Sequence, residues 1–558
     1  MNERHFKFWP KRMPHTLTLP KTSVYHNLTV SAERYPEKTA IFYYETKISY
    51  GRLLEEVESV AGYLQETMGV EKGDRVVLHM QNSPQFVVAF YAILRTGAML
   101  VPVNPMSVTE ELTHYLEDSG AKVAVCGGDL YSQIAPLLGE SGLERLVVAT
   151  YSDYLKEETD LALPEVVSAS KEEIESEKVI PWHAVLEAGY SPDEVPIEPD
   201  DMALLPYTSG TTGKPKGCVH THSTLNANLI GAALWNGITS DSVSLSTLPF
   251  FHVTGMEHSM NAPIFAGGAM VLMTRWDKEL AAELVQRHRI THWTNISTMV
   301  VDLLSNPKIE EYDLSSLQCV GGGGAAMPEA VGKKLEDLAS IRYVEGYGLS
   351  ETIAQTHMNP PDRPKLQCLG IPSFDVDSRV IDPETLEEVG VREEGEIVSS
   401  GPQVMKGYWN RPEADEEAFF ERDGKRFLRT GDIGTVDEEG YFFIVDRLKR
   451  MINVSGYNVW PAEVESALYE HPAIQEAAVI SVPDARRGEA AKAMVVLREE
   501  AKGEVSEEDI VEWAKCKMAA YKCPRSVEFI DELPKSGSGK ILWRELQERE
   551  QEKIAEAR

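Results

Sequence analysis

Hydroxyl, glycine and lysine residues are concentrated in one short segment of the 558-residue chain. This segment, residues 207–217, reads YTSGTTGKPKG and follows the apolar residues 202–206. Glycines let a backbone approach an anion closely, hydroxyl and amide groups can donate to phosphate oxygens, and Lys214 and Lys216 supply positive charge. The segment therefore predicts a phosphate-binding loop at the end of a strand.

The loop does not have the Walker A pattern. That pattern requires a glycine five residues before a Gly-Lys pair, and a serine or threonine directly after the pair. Thr208 stands in the first place and Pro215 follows Lys214. We therefore expect neither a P-loop kinase nor a GTPase.

The formal net charge of −33 limits the partners of the protein. A surface this acidic repels phosphate groups, so we expect no nucleic-acid partner. An anionic substrate must then be bound by a small local cluster of donors. The hydrophobic share of 42% and the charged share of 26% are typical of globular proteins.

The sequence contains no recognisable targeting or membrane-spanning segment. The basic N-terminus lacks the apolar stretch of a signal peptide, and the longest apolar stretch, residues 86–103, is interrupted by Arg95 and Gly97. The six cysteines form no C-x-x-C pair, which favours free thiols in a reducing compartment. We expect a cytoplasmic protein without an integral membrane segment, and leave open a transient contact with membranes.

Short apolar stretches alternate with helix-period segments in the first part of the chain. Residues 76–78, 99–103 and 122–126 read as buried strands, and residues 84–94 as a helix. This alternation predicts parallel α/β layers. Residues 151–201 are rich in Asp and Glu, and we expect them to form an exposed connecting region.

The pattern changes after residue 447. A helix is expected from Pro461, strands at residues 477–481 and 491–497, and another helix from Ser506, with Asp509 completing a capping-box pattern. The predicted fold class is α/β. A large multi-layered α/β N-terminal domain, residues 1–447, is followed by a small mobile α+β C-terminal domain, residues 448–558.

With these segments placed, the chain resembles the adenylate-forming superfamily of acyl-CoA synthetases, luciferases and peptide-synthetase adenylation domains. The phosphate loop matches that family almost letter for letter. Further matching segments follow in the family's order: LPFFHVTG (248–255), GGAAMP (323–328), GYGLSET (346–352), TGD (430–432), DRLK (446–449), SGYN (455–458), PAEVE (461–465) and PKSGSGK (534–540).

The resemblance implies ATP and coenzyme A as co-substrates, Mg²⁺ as cofactor, and a role for each matching residue. Those implied to bind ATP or AMP are Thr208, Ser209, Gly210, Thr211, Thr212, Lys216, Gly324, Ala325, Gly346, Tyr347, Gly348, Ser350, Asp432 and Arg447. Those implied to be catalytic are Lys540, Glu351 and His252. Lys449 is the implied hinge, and the implied coenzyme A channel is lined by Ser455, Gly456 and Tyr457.

The chemistry of these residue types agrees with the implied roles. A hard cation such as Mg²⁺ prefers the carboxylate oxygens that Glu351 offers. Tyr347 presents a flat π-face to adenine, and Asp432 can accept hydrogen bonds from both ribose hydroxyls. Lys540 can neutralise the charge that develops between the acid and the α-phosphate. Ser350 stands where the family usually has threonine, and it retains the hydroxyl.

The implied reaction is activation of a carboxylic acid as an acyl-adenylate, followed by transfer of the acyl group to coenzyme A. Phe251 and His252 stand where the family controls entry to the acid pocket. Met256, Met260 and residues 322–325 either line an apolar tube or belong to the core. Because Glu257 is the only charged residue in 249–265, a medium- or long-chain fatty acid is expected.

Three alternatives stay open at this stage. The first is an aryl acid of the benzoate or coumarate type. The second is an adenylating enzyme with an acceptor other than coenzyme A, and the third is a non-catalytic binding protein. The presence of both Lys540 and Glu351 disfavours the third. A homodimer is expected from the family alone.

Overall fold

The computed structural model describes residues 4–169, 174, 176–208, 214–324, 326–454, 457–484, 488–519, 521–535 and 541–556. The helices are α1 (Tyr25–Arg34), α2 (Tyr50–Glu66), α3 (Pro84–Arg95), α4 (Thr109–Ser119), α5 (Tyr131–Ile134), α6 (Glu165–Ser168), α7 (Trp182–Glu187), α8 (His222–Trp235), α9 (Ala262–Ala266), α10 (Lys278–His288), α11 (Ser297–Leu304), α12 (Glu329–Ala339), α13 (Pro412–Ala418), α14 (Pro461–Leu468), α15 (Glu507–Lys517) and α16 (Trp543–Glu556).

The strands are β1 (Thr39–Tyr43), β2 (Thr46–Ser49), β3 (Arg75–His79), β4 (Met99–Pro102), β5 (Val123–Gly127), β6 (Arg145–Ala149), β7 (Val179–Pro181), β8 (Met202–Leu204), β9 (Tyr207–Thr208), β10 (Lys216–Thr221), β11 (Val243–Ser246), β12 (Ala269–Leu272), β13 (His292–Asn295), β14 (Cys319–Gly322), β15 (Val344–Leu349), β16 (Ala354–Met358), β17 (Ile371–Pro372), β18 (Asp377–Ile381), β19 (Gly395–Ser400), β20 (Gly407–Tyr408), β21 (Phe419–Arg422), β22 (Lys425–Val436), β23 (Phe442–Arg447), β24 (Ile452–Val454), β25 (Tyr457–Val459), β26 (Ile474–Asp484), β27 (Gly488–Leu497) and β28 (Ser526–Phe529).

The chain divides into two compact units. The larger unit comprises Met1–Ser378, Ser399–Leu428 and Glu439–Tyr441, and the smaller unit comprises Arg379–Val398, Arg429–Glu438 and Phe442–Arg558. The predicted α/β fold class, with a large unit and a smaller C-terminal one, is confirmed. The domain boundary between residues 447 and 448 stays a prediction.

Two mixed sheets form the larger unit. One has the order β17-β16-β15-β14-β13-β11-β12-β1-β2, with parallel strands from β15 to β1. The other has the order β20-β10-β8-β4-β3-β5-β6-β7, and β9 pairs with β10. Ligand sites usually lie in the loops at the carboxyl ends of parallel strands. The predicted adenine segments lie at the carboxyl ends of β14 and β15, which are parallel.

Helix α3 shows how local sequence and burial agree in this unit. Ser83 caps the helix by accepting a hydrogen bond from the Phe86 amide, and Pro84 occupies the first turn. Every residue from Pro84 to Leu94 is buried. A helix that is apolar on all sides must lie inside the protein, so the prediction of a buried helix over 84–94 is confirmed.

The prediction for residues 151–201 was partly wrong. Residues 179–181 form β7, which extends the second sheet by pairing with β6. Trp182 and Val185 in α7 are almost fully buried, as are Tyr151 and Tyr154. The acidic composition concealed these few apolar anchors, which fix the segment to the sheet and to the core of the larger unit.

The smaller unit contains a sheet of order β25-β24-β27-β26, and β28 pairs with β27. Its core includes Val464 of α14 and Ile510 of α15, packed against apolar residues of β26 and β27. Pro461 opens α14, and Ser506 and Asp509 form the predicted capping box of α15. The α+β prediction for this region is confirmed.

Within the part of the chain that the structure describes, no helix combines the length and the apolar character needed to cross a bilayer.

Candidate functional site

The two strands that flank the predicted phosphate loop pair with each other. Strands β9 and β10 are antiparallel, with Thr208 directly opposite Lys216 and Tyr207 opposite Gly217. The structure therefore brings together two predicted phosphate ligands at the base of the loop. The remaining loop positions Ser209, Gly210, Thr211 and Thr212 lie outside the described residues, and their predicted roles stay predictions.

Helix α4 holds both sides of this loop base. His114 donates from Nε2 to the carbonyl oxygen of Pro215 at 2.9 Å, and the Tyr207 hydroxyl donates to Asp118 Oδ2 at 2.8 Å. Asp118 also forms an ion pair with Arg411. Each strand leading to the loop is thus tied to the same rigid helix, which sequence reasoning did not foresee.

The segment predicted to contact adenine forms a β-hairpin. Strand β15 turns into β16 through a short 3₁₀ turn, Ser350–Thr352, and the half-buried Tyr347 pairs with His357. A β-carbon on Gly348 would lie 1.5 Å from the carbonyl oxygen of Ala354, so only glycine fits there. The hairpin therefore fixes the position of Tyr347 at the end of a parallel strand.

Glu351 lies directly after this hairpin strand and is held by strand β20 and its preceding residues. The Tyr408 hydroxyl donates to Glu351 Oε1 at 3.0 Å, and the Met405 amide donates to the Glu351 carbonyl oxygen at 2.8 Å. The ammonium of Lys216 lies 4.2 Å from the centre of the Tyr408 ring. The predicted phosphate lysine and the predicted Mg²⁺ carboxylate therefore contact the same tyrosine.

A buried histidine in strand β10 also holds the turn that contains Ser350 and Glu351. His220 in β10 donates from Nε2 to the carbonyl oxygen of Ser350 at 2.7 Å. Burial lowers the pKa of His220 to about 4, and the hydrogen bond to Ser350 opposes that shift only partly. A neutral imidazole therefore links the phosphate-loop strand to the Ser350–Glu351 backbone.

The glycine run after β14 packs against the hairpin. A β-carbon on Gly322 would lie 1.7 Å from the carbonyl oxygen of Asn295, and one on Gly323 would lie 2.5 Å from that of Gly346. Gly324 follows with a φ of +86°, a backbone conformation that favours glycine. These glycines are explained by close backbone contact, which places Gly324 beside the Gly346 strand. Ala325 lies outside the described residues.

Glu345, which precedes Gly346, is a buried carboxyl group that is held by backbone amides. Its Oε1 accepts hydrogen bonds from the amides of Gln367 at 2.7 Å and Met327 at 3.3 Å. Burial raises the pKa of Glu345 to about 7, with these amides opposing the shift. The carboxyl group therefore ties the glycine loop to the hairpin.

His252 is exposed at a turn. This turn is anchored by Asn82, which follows strand β3 of the second sheet. Asn82 donates from Nδ2 to the Leu248 carbonyl and accepts from the Phe250 amide, both at 2.8 Å. Gly255 is required because a β-carbon would lie 2.3 Å from the Pro249 carbonyl oxygen. The turn holding His252 is thus rigidly placed, while its catalytic role stays a prediction.

The helix after this turn is a π-helix, Gly255–Asn261, and all of its residues are buried. Met256 and Met260 are fully buried within the main apolar cluster of the larger unit. Burial raises the pKa of Glu257 well above its usual range, opposed by a hydrogen bond that Asn261 donates at 2.8 Å. Burial therefore disfavours the charged form of the one acidic side chain in this stretch. π-helical turns are frequent at functional sites.

In the smaller unit, Asp432 on β22 and Arg447 on β23 face each other on adjacent strands. They are register partners in β22 and β23, and Arg447 Nε lies 2.5 Å from Asp432 Oδ1. The turn before Asp432 is held by Glu396, which accepts from the Gly431 amide at 3.0 Å and pairs with Arg429 at 2.6 Å. The sequence placed these two residues in two separate matching segments, and the structure shows that they form an ion pair.

The remaining predicted residues of the smaller unit are only partly described. Lys449 lies in a 3₁₀ turn, Leu448–Arg450, directly after β23. Tyr457 begins β25 and pairs with Val454. Ser455, Gly456 and Lys540 lie outside the described residues, although Lys535 and Ile541 form an antiparallel bridge on either side of residues 536–540.

Several supporting residues were missed at the sequence level: His114, Asp118, His220, Asn82, Tyr408 and Glu396. They are far in sequence from the groups they hold, so no local spacing connects them. Tyr408 lies between Gly407 and Asn410 in a polar stretch, which is only a weak sequence signal for a functional site. Its position beside the phosphate loop follows from the pairing of β20 with β10.

The fold and these segments define a two-unit nucleotide-dependent enzyme, and comparison with known proteins agrees. A family model described as AMP-binding enzyme matches residues 28–409, and one described as AMP-binding enzyme C-terminal domain matches residues 463–540. The chain belongs to the AMP-binding enzyme family, within the adenylate-forming superfamily. The predicted superfamily is confirmed.

Individual relatives resemble the chain along nearly its whole length. The chain is 38% identical to a long-chain-fatty-acid–CoA ligase of Bacillus subtilis, covering 98% of this chain and 97% of the relative. It is 34% identical to a feruloyl-CoA synthase of Amycolatopsis sp., covering 92% and 96%. Its fold resembles ATP-bound MatB from Rhodopseudomonas palustris, with a TM-score of 0.82, 28% identity, and coverage of 95% and 99%.

Proposed function

We propose that this protein is an ATP-dependent acyl-CoA synthetase, an AMP-forming acid–thiol ligase. It forms an acyl-adenylate from a medium- or long-chain fatty acid and transfers the acyl group to coenzyme A, releasing AMP and pyrophosphate. The observation that carries this proposal is the similarity, at 38% identity over almost the full length, to a long-chain-fatty-acid–CoA ligase. The matched region covers 98% of this chain and 97% of that relative.

Within the larger unit, the pairing of β9 with β10 supports the proposed roles at the base of the phosphate loop. Thr208 and Lys216, side by side at the loop base, hold the phosphates of ATP together with residues 209–212. Gly324, Ala325, Gly346 and Gly348 line the adenine side, and Tyr347 offers its ring face. Preorganised donors of this kind stabilise the charge that develops on the phosphate oxygens during adenylation.

The residues around Glu351 fit a magnesium ion. Glu351 is half-buried, its Oε1 is oriented by a neutral phenol, and carboxylate oxygen is the donor that Mg²⁺ prefers. When bound, the ion would neutralise charge on the phosphates and on the departing pyrophosphate. Glu351 would hold it, while Ser350 keeps a hydroxyl near the phosphates.

The smaller unit supplies the other proposed groups. Asp432, oriented by Arg447, accepts from the ribose hydroxyls. Lys540 neutralises the charge that forms between the acid oxygen and the α-phosphate. The domain comprising residues 448–558 then rotates about Lys449, so that Ser455, Gly456 and Tyr457 line the channel for coenzyme A. A homodimer and a cytoplasmic location remain part of the proposal.

The acid pocket is proposed to begin at His252 and Phe251 and to continue along the π-helix. Met256 and Met260 are buried in this region, and burial disfavours the charged form of Glu257, which makes the region poorly suited to pair with a charged substrate. This favours an alkyl chain. The relative described as a feruloyl-CoA synthase, at 34% identity, keeps an aryl acid as the second candidate.

The decisive experiment measures pyrophosphate release with octanoate, palmitate, ferulate and benzoate, each with and without coenzyme A. We expect the highest kcat/KM with a fatty acid, and formation of the acyl-CoA thioester detected by mass spectrometry. A preference for ferulate would establish the aryl alternative. Pyrophosphate release with no thioester would point to a different acceptor, and no release with any acid would contradict the proposal.

A further inference from the structure

Tyr408 lies between two residues with proposed roles in ATP binding. Its hydroxyl donates to Glu351 Oε1 at 3.0 Å, and its ring lies 4.2 Å below the Lys216 ammonium. One side chain therefore contacts both the phosphate lysine and the magnesium carboxylate.

The backbone explains why Tyr408 is in this position. Strand β20 pairs antiparallel with β10, and Tyr408 lies opposite Cys218. Lys216, two residues before Cys218, projects to the same face of the strand, within reach of a long aromatic side chain. Trp409 and Lys406 continue the pairing through hydrogen bonds to Gly217 at 2.8 Å and Val219 at 2.9 Å.

The tyrosine is also fixed from outside the sheet. Asp415 in α13 accepts from the Tyr408 amide at 2.7 Å, and a β-carbon on Gly407 would lie 2.4 Å from Asp415 Oδ2. Met405 holds the backbone of Glu351 at 2.8 Å. The tyrosine hydroxyl therefore meets the carboxylate from a rigid support.

We propose that Tyr408 is a positioning residue that orients Glu351 for the divalent cation and Lys216 for the phosphates of ATP. The inference rests on the proposed function of Glu351. The phenol hydroxyl occupies one lone pair of Oε1, which fixes the carboxylate plane without neutralising its charge. The ring face holds the lysine ammonium at the base of the phosphate loop.

The test separates these two contacts. Tyr408→Phe removes the hydroxyl and keeps the ring, and Tyr408→Leu removes both. Binding of Mn²⁺ is measured by electron paramagnetic resonance in the presence of α,β-methylene ATP, whose α,β linkage cannot be cleaved to transfer AMP to an acid. Affinity for the same analogue without metal is measured by calorimetry.

For Tyr408→Phe we expect about tenfold weaker Mn²⁺ binding and unchanged affinity for the metal-free analogue, as the loss of one hydrogen bond to a charged group implies. For Tyr408→Leu we expect both affinities to fall. In a Glu351→Gln background, Tyr408→Phe should have no additional effect on Mn²⁺ binding, because its role acts through that carboxylate.

Tyr25 provides a matched control. Its hydroxyl donates to Glu58, and Arg95 lies 5.5 Å from its ring centre, the same combination of cation, phenol and carboxylate away from the site. Tyr25→Phe should leave Mn²⁺ binding unchanged. Unaltered Mn²⁺ binding in Tyr408→Phe, or an equal loss in the Glu351→Gln background, would overturn the inference. Full Mn²⁺ binding by Glu351→Gln alone would refute the proposed role of Glu351 and the inference with it.

Discussion

Glu351 in the larger unit and Asp432 in the smaller unit are both acidic residues proposed to serve ATP, yet the protein holds them differently. Glu351 is half-buried and accepts from a neutral phenol. Asp432 has a side chain with 0% exposure and pairs with the guanidinium of Arg447, which is 32% exposed. A carboxylate that must bind a cation keeps its charge uncompensated, whereas a fully desolvated one requires an opposite charge nearby.

Glu345 shows a third way in which the protein holds an acidic side chain. It is 6% exposed and is held by backbone amides. Its pKa rises to about 7 because burial disfavours the charged form. The three carboxyl groups are therefore held by different surroundings, and each difference can be tested.

The largest effect is expected from Lys540, the residue of the smaller unit that is proposed to be catalytic. Lys540→Ala should reduce adenylation, measured as acid-dependent pyrophosphate release, by about a thousandfold, because a preorganised charge at the reacting oxygens is lost. Thioester formation from supplied acyl-adenylate should stay within about twofold. An equal loss of both steps would contradict this division between the half-reactions.

Removing the counter-ion of Asp432 tests whether the buried carboxylate of the smaller unit needs an opposite charge. Arg447→Met should lower the free energy of unfolding by about 2–3 kcal/mol, because it removes the cationic partner of a buried carboxylate, with a discount for the partial exposure of the arginine. Urea unfolding followed by circular dichroism measures this. Adding Asp432→Asn should recover part of the loss, and a double variant as unstable as the sum of both changes would contradict the pairing.

The matching change in the larger unit should affect activity rather than stability. Glu351→Gln retains an oxygen that can accept from Tyr408, but it loses the negative charge needed for the cation. We expect about a hundredfold lower kcat/KM for Mg–ATP, with unfolding free energy changed by less than about 1 kcal/mol. A destabilised but fully active variant would show that Glu351 is structural, and the contrast with Asp432 would fail.

The smallest effect concerns the pH dependence of stability. The pKa of Glu345 is about 7 in the folded protein and near 4.5 when unfolded, so the folded state binds more protons between these values. Its contribution is complete below about pH 4.5 and is lost as the pH rises through 7. Glu345→Gln keeps the oxygen acceptor and cannot ionise. It should therefore be more stable than the natural protein by about 2 kcal/mol at pH 8 and similar to it near pH 5.

Urea unfolding of both proteins across this range measures the difference. Parallel stability curves for the two proteins, with no convergence towards low pH, would mean that Glu345 is ionised in the folded state. The backbone amides would then stabilise its charge more than burial opposes it.

Elements with strong local signals were predicted well from the sequence. Helix α3 was recognised by its apolar residues and its proline, and α15 by its capping box, because these signals act within one turn of the helix. Residues 151–201 were misjudged because a few buried aromatic residues, such as Trp182, decide their place in spite of an acidic average. Burial depends on distant partners that composition does not reveal.

The same distinction applies to the candidate site. The glycine-rich loop, Glu351 and Asp432 could be identified because their residue types and order match a known family. The sequence by itself determined the class of reaction and the α/β class of the fold, and it named the candidate reacting groups. These depend on residue chemistry and on short-range patterns of hydrophobicity.

Only the tertiary structure decided how those groups are held. It placed Tyr408 between Lys216 and Glu351, and Arg447 opposite Asp432. Partners of this kind are brought together by strand pairing between segments that can lie far apart in the chain. Hydrogen-bond direction, burial and charge state then follow from that pairing, which no local spacing in the sequence encodes.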